Sequence, residues 1–79
     1  MLALPDRLRT LLTSRFGMDE SQLEDDRRLA DLDFDSLALL ELSVTCHEEL
    51  GIEVLDTELN GNMRLSELGA LVSARLAAQ

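Results

Sequence analysis

Hydrophobic residues recur at helical spacing in three stretches of the chain. The first stretch places its apolar side chains on one face, at intervals of mostly three or four residues: Leu4, Leu8, Leu11, Leu12 and Phe16. Proline is tolerated at a first helical position, and glycine favours the left-handed conformation that ends many helices. The pattern therefore predicts a first helix that begins at about Pro5, ends at Arg15 and is stopped by Gly17.

The second stretch predicts a helix that begins at Asp35 or Ser36 and ends near Leu50. Asp35 is a good N-cap candidate, because its carboxylate can accept hydrogen bonds from amides of the first turn. Gly51 is placed for a left-handed cap, and Ile52 is the hydrophobic residue that often follows such a cap.

This second helix carries two apolar stripes. At about 100° per residue, one stripe is typical of a core-facing surface: Leu39, Leu42, Cys46 and Leu50. The other stripe lies on roughly the opposite face and is interleaved with Glu41 and Glu48: Leu37, Leu40 and Val44. A domain this small cannot easily bury both stripes, so we expect the second to be exposed, as partner-binding surfaces often are.

The third stretch predicts a last helix from Ser66, as N-cap, to about Ala77. Its apolar stripe is Leu68, Leu71, Val72 and Leu76. Before it, one short helical turn is expected from Asp56 to Leu59.

Residues 17–34 are interpreted as a long loop attached to the core by apolar side chains: Leu29, Leu32 and Phe34. The expected fold is all-α, an up-and-down bundle of three main helices plus one short helix, in a single domain spanning residues 1–79.

Composition narrows the class of protein further. Hydrophobic residues make up 46% of the 79 residues, which is too many for a disordered acidic tail. Cys46 is the only cysteine, so an internal disulfide is impossible. Neither a signal peptide nor a membrane-spanning stretch is visible in the sequence, so we expect a cytoplasmic protein without a membrane partner.

The negative charge is concentrated in the middle of the chain. All seven basic residues are arginines, none lies between Leu29 and Met63, and the formal net charge is −9. That window contains nine acids: Asp31, Asp33, Asp35, Glu41, Glu48, Glu49, Glu53, Asp56 and Glu58. Such a segment repels nucleic acid and attracts basic protein surfaces. We therefore expect protein partners and no nucleic acid.

Ser36, behind the run of acids, is the candidate for chemistry. Serine catalysis needs a nearby base, but the only histidine, His47, is eleven residues along the same helix, about 16 Å away. A calcium loop is also excluded: aspartates occupy the first three ligand positions, but Ser36 replaces the required Gly and Leu42 the bidentate Glu. Weak cation binding by the acids and a simple helix-capping role for Ser36 both stay open.

The motif Asp35-Ser36-Leu37, with Leu40-Glu41-Leu42 after it and Glu48-Glu49-Leu50-Gly51-Ile52 at the helix end, resembles the acyl carrier proteins. The resemblance extends over the full chain in length and helix order. It implies that Ser36 carries a 4′-phosphopantetheine arm, whose thiol holds acyl groups as thioesters. It also implies that the protein is not an enzyme, because the modifying and synthase enzymes supply the chemistry.

The resemblance also implies partners and a surface that binds them. Six residues match positions that the family uses for docking: Asp35, Leu37, Leu40, Glu41, Val44 and Glu48. The expected partners are a phosphopantetheinyl transferase and ketosynthase- and acyltransferase-type enzymes, visited by a monomeric carrier. The inner stripe of the second helix would line the interior in which some carriers shelter the acyl chain.

Several residues depart from the bacterial fatty-acid pattern: Asp33, Phe34, Ala38 and His47. The string Phe-Asp-Ser-Leu-Ala-Leu-Leu-Glu is more similar to discrete carriers of type II polyketide synthases, so polyketide or antibiotic biosynthesis is expected before fatty acid biosynthesis. Peptidyl carriers usually have Gly-Gly before the serine, and this chain does not. The alternatives are an unmodified acidic adaptor that binds a partner helix through Leu37, Leu40 and Val44, and a cation-binding helical domain.

Overall fold

The computed structural model describes residues 4–78, and every structural statement below concerns that part of the chain. Its three α-helices are α1 (Asp6–Arg15), α2 (Ser36–Thr45) and α3 (Leu65–Ala77). A π-helical turn, Cys46–Leu50, continues α2, and shorter 3₁₀ turns lie at Glu20–Gln22, Leu29–Leu32 and Asp56–Glu58. No strand occurs within residues 4–78, and the prediction of an all-α bundle is confirmed. Residues 1–3, part of the N-terminus in which no signal peptide was expected, lie outside the described range.

One hydrophobic core joins the three helices to the loops between them. Leucines from every helix are completely buried in it: Leu8 and Leu12 of α1, Leu42 of α2, Leu65 and Leu68 of α3. The predicted stripe of α3 is confirmed in part, because Leu68 and Val72 are buried whereas Leu71 and Leu76 are only partly buried against the core. Close packing of this kind accounts for most of a small helical domain's stability.

The loop between α1 and α2 is attached to the core as predicted. Leu29, Leu32 and Phe34 are all buried, and so is Leu23. The Leu29 amide also donates to the Met63 carbonyl at 2.9 Å, which ties the loop to the segment before α3. This attachment explains how so long a connection can be ordered in a small domain, since its apolar side chains and amides are satisfied by the rest of the fold.

Two predicted helix boundaries need correction. α3 begins at Leu65 and not after a Ser66 cap, because the Leu68 amide donates to the Arg64 carbonyl at 3.0 Å and so starts the helical ladder at Arg64. The Ser66 amide lies within the first turn and donates to the Asp25 carbonyl at 3.0 Å. The expected turn from Asp56 to Leu59 is a 3₁₀ turn that ends at Glu58. The second helix ends at Leu50 as predicted, although its last turn is π-helical, and Gly51 follows it in the predicted left-handed conformation (φ 68°).

Within residues 4–78, no helix is both long enough and apolar enough to cross a bilayer.

Candidate functional site

Ser36 is the first residue of α2, and its side chain is exposed to solvent. The preceding residue, Asp35, is extended (φ −80°, ψ −175°), and its carboxylate accepts a hydrogen bond from the Ala38 amide at 2.9 Å. The Asp35 carbonyl accepts the Leu39 amide, also at 2.9 Å, which starts the helical ladder. Asp35 is therefore the N-cap that the sequence predicts, and it fixes where the serine enters the helix.

A tight turn and a buried aromatic ring just before α2 set the path of the chain toward Ser36. Asp33 ends the 3₁₀ turn Leu29–Leu32 in the left-handed conformation (φ 64°), and the Phe34 amide donates to the Leu29 carbonyl at 3.1 Å. The Phe34 ring is buried, with its centroid 5.4 Å from that of Phe16. Because Phe34 points into the core, the chain two residues later reaches the surface, and Ser36 faces water.

The first amides of α2 are available to a ligand. Within the described residues, neither the Ser36 amide nor the Leu37 amide has a hydrogen-bond acceptor. Unpaired amides at a helix N-terminus favour a phosphate group, and the helix macrodipole adds to the effect. The exposed carboxylates of Asp33 and Asp35 oppose it.

Ser36 has no catalytic apparatus of its own. No side chain in the described part of the chain hydrogen-bonds its hydroxyl, and His47 lies in the π-helical turn at the far end of α2. Among residues 4–78, no group of three or more acids, histidines or cysteines is placed to hold a metal ion. The arrangement is that of a hydroxyl on which another protein can act, since a serine nucleophile needs a base within hydrogen-bond reach.

The two apolar stripes of the second helix differ in solvent exposure, as predicted. On the outer side, Leu37 is 65% exposed, Leu40 46% and Val44 49%. The carboxylates of Glu41 and Glu48 are exposed as well. At about 100° per residue these five positions share one helix face with Ser36 at its edge, so their side chains form one continuous surface.

The inner stripe faces the core. Leu42, Cys46 and Leu50 are buried, whereas Leu39 is only partly buried. Burial raises the pKa of the Cys46 thiol to about 11, so the thiol stays protonated near neutral pH. Cys46 is therefore a packing residue here, because a thiol needs its thiolate form to react.

An open groove beside α2 was not predicted from the sequence. It has a volume of about 310 Å³, and its lining comes from α2, the π-helical turn and the segment after it: Ser43, Val44, His47, Glu53, Val54 and Leu55. Leu55 is 49% exposed and extends the apolar surface of Val44. One signal in the sequence could have placed one wall of the groove on the side of α2 that bears Ser36. That signal is the helical spacing of four residues: Ser36, Leu40, Ser43 and His47. Nothing in the local pattern shows which segment supplies the other wall.

The acids of the exposed face of α2 and its N-cap are not neutralised by other described residues. Of the acids in the middle segment, Glu49 pairs with Arg15 at 3.7 Å and Glu58 pairs with Arg75. Asp35, Glu41 and Glu48 form no ion pair with any described residue. Their charge is therefore available to a basic partner.

A small helical bundle that presents a capped, base-free serine beside an apolar and acidic helix face has the features of a carrier domain. Comparison with known protein families agrees: residues 6–72 match the family described as "Phosphopantetheine attachment site". The chain belongs to this family, the acyl carrier proteins. It is a carrier of 4′-phosphopantetheine and not a catalyst.

Two curated proteins illustrate the relationship. The chain is 32% identical over 68 residues to the acyl carrier protein of Thermotoga maritima, an alignment that covers 85% of this chain and 80% of the relative. It is 37% identical over 75 residues to a mycocerosic acid synthase-like polyketide synthase of Mycobacterium tuberculosis, which covers 94% of this chain but 4% of that much longer protein. No solved structure gives a significant match.

Proposed function

We propose that Ser36 is the attachment point of the 4′-phosphopantetheine arm. The observation that supports this assignment is the exposed hydroxyl at the first residue of α2, inside an Asp-Ser-Leu motif and beside two unpaired amides. A modifying enzyme needs such access, and the phosphodiester that it makes gains from the adjacent helix N-terminus.

The modification requires little of the chain itself. The Ser36 oxygen attacks the pyrophosphate phosphorus of coenzyme A that bears the pantetheine, the bond to the nucleotide phosphate breaks, and adenosine 3′,5′-bisphosphate leaves. A base of the transferase takes the hydroxyl proton, so the lack of a base near Ser36 is no obstacle. When bound, the arm supplies a terminal thiol that holds acyl groups as thioesters. The Asp35 cap keeps the serine at a constant position for each partner.

The exposed face of α2 is the proposed docking surface. Apolar side chains at its centre and carboxylates around them fit partners that combine an apolar pocket with a basic rim. The residues are those expected from the sequence: Asp35, Leu37, Leu40, Glu41, Val44 and Glu48. The proposed partners are a phosphopantetheinyl transferase and ketosynthase- and acyltransferase-type synthase enzymes, which a monomeric carrier visits in the cytoplasm.

The carried group is proposed to be a polyketide intermediate. Two observations support this choice over fatty acids: the Phe-Asp-Ser-Leu-Ala-Leu-Leu-Glu string and the 37% identity to a polyketide synthase. We further propose that the protein is a discrete, type II carrier and that it serves antibiotic-type pathways. Only the Phe-Asp-Ser-Leu-Ala-Leu-Leu-Glu string supports these two points.

Intact mass spectrometry tests the attachment site. Incubation with coenzyme A and a broad-specificity phosphopantetheinyl transferase should add the mass of one phosphopantetheine to the wild-type chain and nothing to Ser36→Ala. Ser21→Ala removes another exposed serine, within the 3₁₀ turn Glu20–Gln22, and should be modified like the wild type. Modification of Ser36→Ala would refute the assignment. A wild-type chain that several transferases leave unmodified would instead favour the unmodified adaptor.

A further inference from the structure

The chain contains two asparagines, Asn60 and Asn62, and both lie in the loop just before α3. Both side chains are exposed to solvent. Asn60 is followed by Gly61, whereas Asn62 is followed by Met63. The side-chain carbonyl of an asparagine can be attacked by the amide nitrogen of the next residue, with loss of ammonia. The surroundings of those two amides therefore decide which asparagine can react.

The two neighbouring amides differ in their hydrogen bonds. The Met63 amide donates to the Asn60 carbonyl at 3.2 Å. The Gly61 amide, by contrast, has no hydrogen-bond acceptor among the described residues. Glycine also has no Cβ, so its nitrogen can be approached closely. Of the two asparagines, only Asn60 has a neighbouring amide that is both unpaired and unhindered.

The side chain of Asn60 is turned toward that amide. Its Oδ1 accepts a hydrogen bond from the Asn62 amide at 2.9 Å. Such an Asx turn folds the side chain back over the peptide that follows it, which here contains the Gly61 nitrogen. The Asn62 N–H also donates to the oxygen on which negative charge develops during attack, and a fixed donor at that position lowers the barrier.

Gly61 is also a contact point between two loops. Its carbonyl accepts a hydrogen bond from the Ala30 amide at 2.9 Å, which belongs to the loop between α1 and α2. The approach is close, since a Cβ atom placed on Gly61 would lie 3.2 Å from the Cβ of Ala30. A change in the length of the main chain at residues 60–61 would therefore disturb the attachment of the α1–α2 loop.

We propose that Asn60 is a site of spontaneous deamidation in the folded protein, and that isoaspartate formed there releases the α1–α2 loop from Gly61. The Gly61 nitrogen forms a bond to Asn60 Cγ, its proton passes through water to the departing nitrogen, the Cγ–Nδ2 bond breaks, and ammonia leaves. Water then opens the cyclic imide. Cleavage of the new Cγ–N bond gives aspartate, whereas cleavage at the α-carbonyl carbon gives isoaspartate.

Isoaspartate differs from aspartate in the path of the main chain. The chain then runs through the former side chain of residue 60 and contains an extra methylene before Gly61. Because the Gly61 carbonyl sits against Ala30 in the original geometry, the longer chain cannot keep both ends of the loop in place. This inference does not rest on the proposed attachment at Ser36.

Peptide mapping of the whole protein tests the reaction. Wild-type chain kept folded in mildly alkaline buffer should convert Asn60 to a mixture of aspartate and isoaspartate, the latter labelled by an isoaspartyl methyltransferase. Asn62 should stay intact in the same molecules. Asn60→Gln should abolish the conversion, whereas Asn62→Gln should retain it, because residue 62 still supplies its backbone amide to the side-chain oxygen of Asn60.

Two outcomes would overturn the assignment of Asn60. One is conversion of Asn62 as fast as that of Asn60, which would show that the free Gly61 amide has no influence. The other is conversion in urea that does not occur in native buffer, which would show that the fold protects Asn60. We expect the folded chain to react at least as fast as the unfolded one.

Amide hydrogen exchange tests the release of the loop, with Asn60→Asp as the matched control. That variant has the same new charge as the isoaspartate form but a main chain of normal length. In the purified isoaspartate form, the Ala30 amide should exchange about fivefold faster than in Asn60→Asp, the factor that one ordinary hydrogen bond contributes. The Leu42 amide, within α2, should exchange at one rate in both. Equal exchange of Ala30 in the two forms would overturn the release.

Discussion

The carboxylate of Asp35 accepts a hydrogen bond from the Ala38 amide at 2.9 Å, and this bond begins α2 immediately before Ser36. The same residue is exposed and forms part of the proposed docking surface. Asp35 thus combines a structural role, which needs only an acceptor oxygen, with a proposed binding role, which needs negative charge. Substitutions that separate these two properties can test each one.

Asp35→Ala should lower the free energy of unfolding by about 1 kcal/mol, as measured by urea denaturation, because the cap is lost. Asp35→Asn should keep most of the stability, since its side-chain oxygen can still cap the helix. Both variants should be modified more slowly by the transferase if the charge matters for docking. Equal stability losses in the two variants would contradict the capping role.

Substitutions on the two faces of α2 should have opposite effects. Leu42 is completely buried, so Leu42→Ala should cost about 2–5 kcal/mol of stability. Leu40 is 46% exposed, so Leu40→Ala should change stability by less than about 0.5 kcal/mol.

Leu40→Ala should nevertheless lower the transferase's kcat/KM for this carrier about tenfold, as truncation of a buried interface residue does. Glu67→Ala serves as a surface control outside the docking face, although its loss of the hydrogen bond to the Arg64 amide should be corrected for by a stability measurement. A Leu40→Ala chain that is modified at the wild-type rate would remove Leu40 from the proposed docking surface.

Asp33 adopts a left-handed conformation (φ 64°) that costs free energy for residues with a Cβ atom. Asp33→Gly should therefore raise the free energy of unfolding by about 0.5 kcal/mol, after allowance for the greater flexibility of glycine in the unfolded chain. Asp33→Ala should lower it, because alanine keeps the Cβ and lacks the polar side chain. A glycine variant less stable than the wild type in urea denaturation would show that Asp33 has a stabilising contact that outweighs the backbone strain.

The ion pair between Arg75 and Glu58 should make the free energy of unfolding depend on pH. The hydrogen bond from Arg75, more than any other influence, holds the pKa of the Glu58 carboxyl below its ordinary value of 4.5. Because the folded-state pKa is depressed, the contribution of Glu58 is present above pH 4.5 and is lost as the pH falls through the lowered value.

Urea midpoints measured between about pH 7 and about pH 3 should therefore fall less steeply on the acid side in Glu58→Gln than in the wild type. Glu41→Gln is the comparison, since it removes an exposed carboxylate that has no ion pair within residues 4–78. If both variants flatten the acid-side loss equally, the effect belongs to total charge and not to the ion pair between Glu58 and Arg75.

Most of the candidate site could be predicted from the sequence because local rules govern it. The cap at Asp35, the left-handed Gly51 and the exposed stripe through Leu40 each depend on neighbours within one or two helical turns. The Asp-Ser-Leu motif then indicated Ser36 as the proposed attachment point, because the motif resembles a family pattern. Local rules failed at the start of α3, where a group distant in the sequence takes part. The Asp25 carbonyl accepts a hydrogen bond from the Ser66 amide in the first turn, and Ser66 is not the N-cap.

The sequence alone thus determined which residues form helices, which faces of α2 are apolar, and where the net charge lies, since these are properties of neighbouring residues. Only the tertiary structure decided that the segment around Val54 becomes a wall of a groove. It is also the tertiary structure that places Arg75, one of seven arginines, where it donates a hydrogen bond to the Glu53 carbonyl in that wall. Contacts between residues this far apart depend on how the helices pack, and no short-range pattern of residues specifies them.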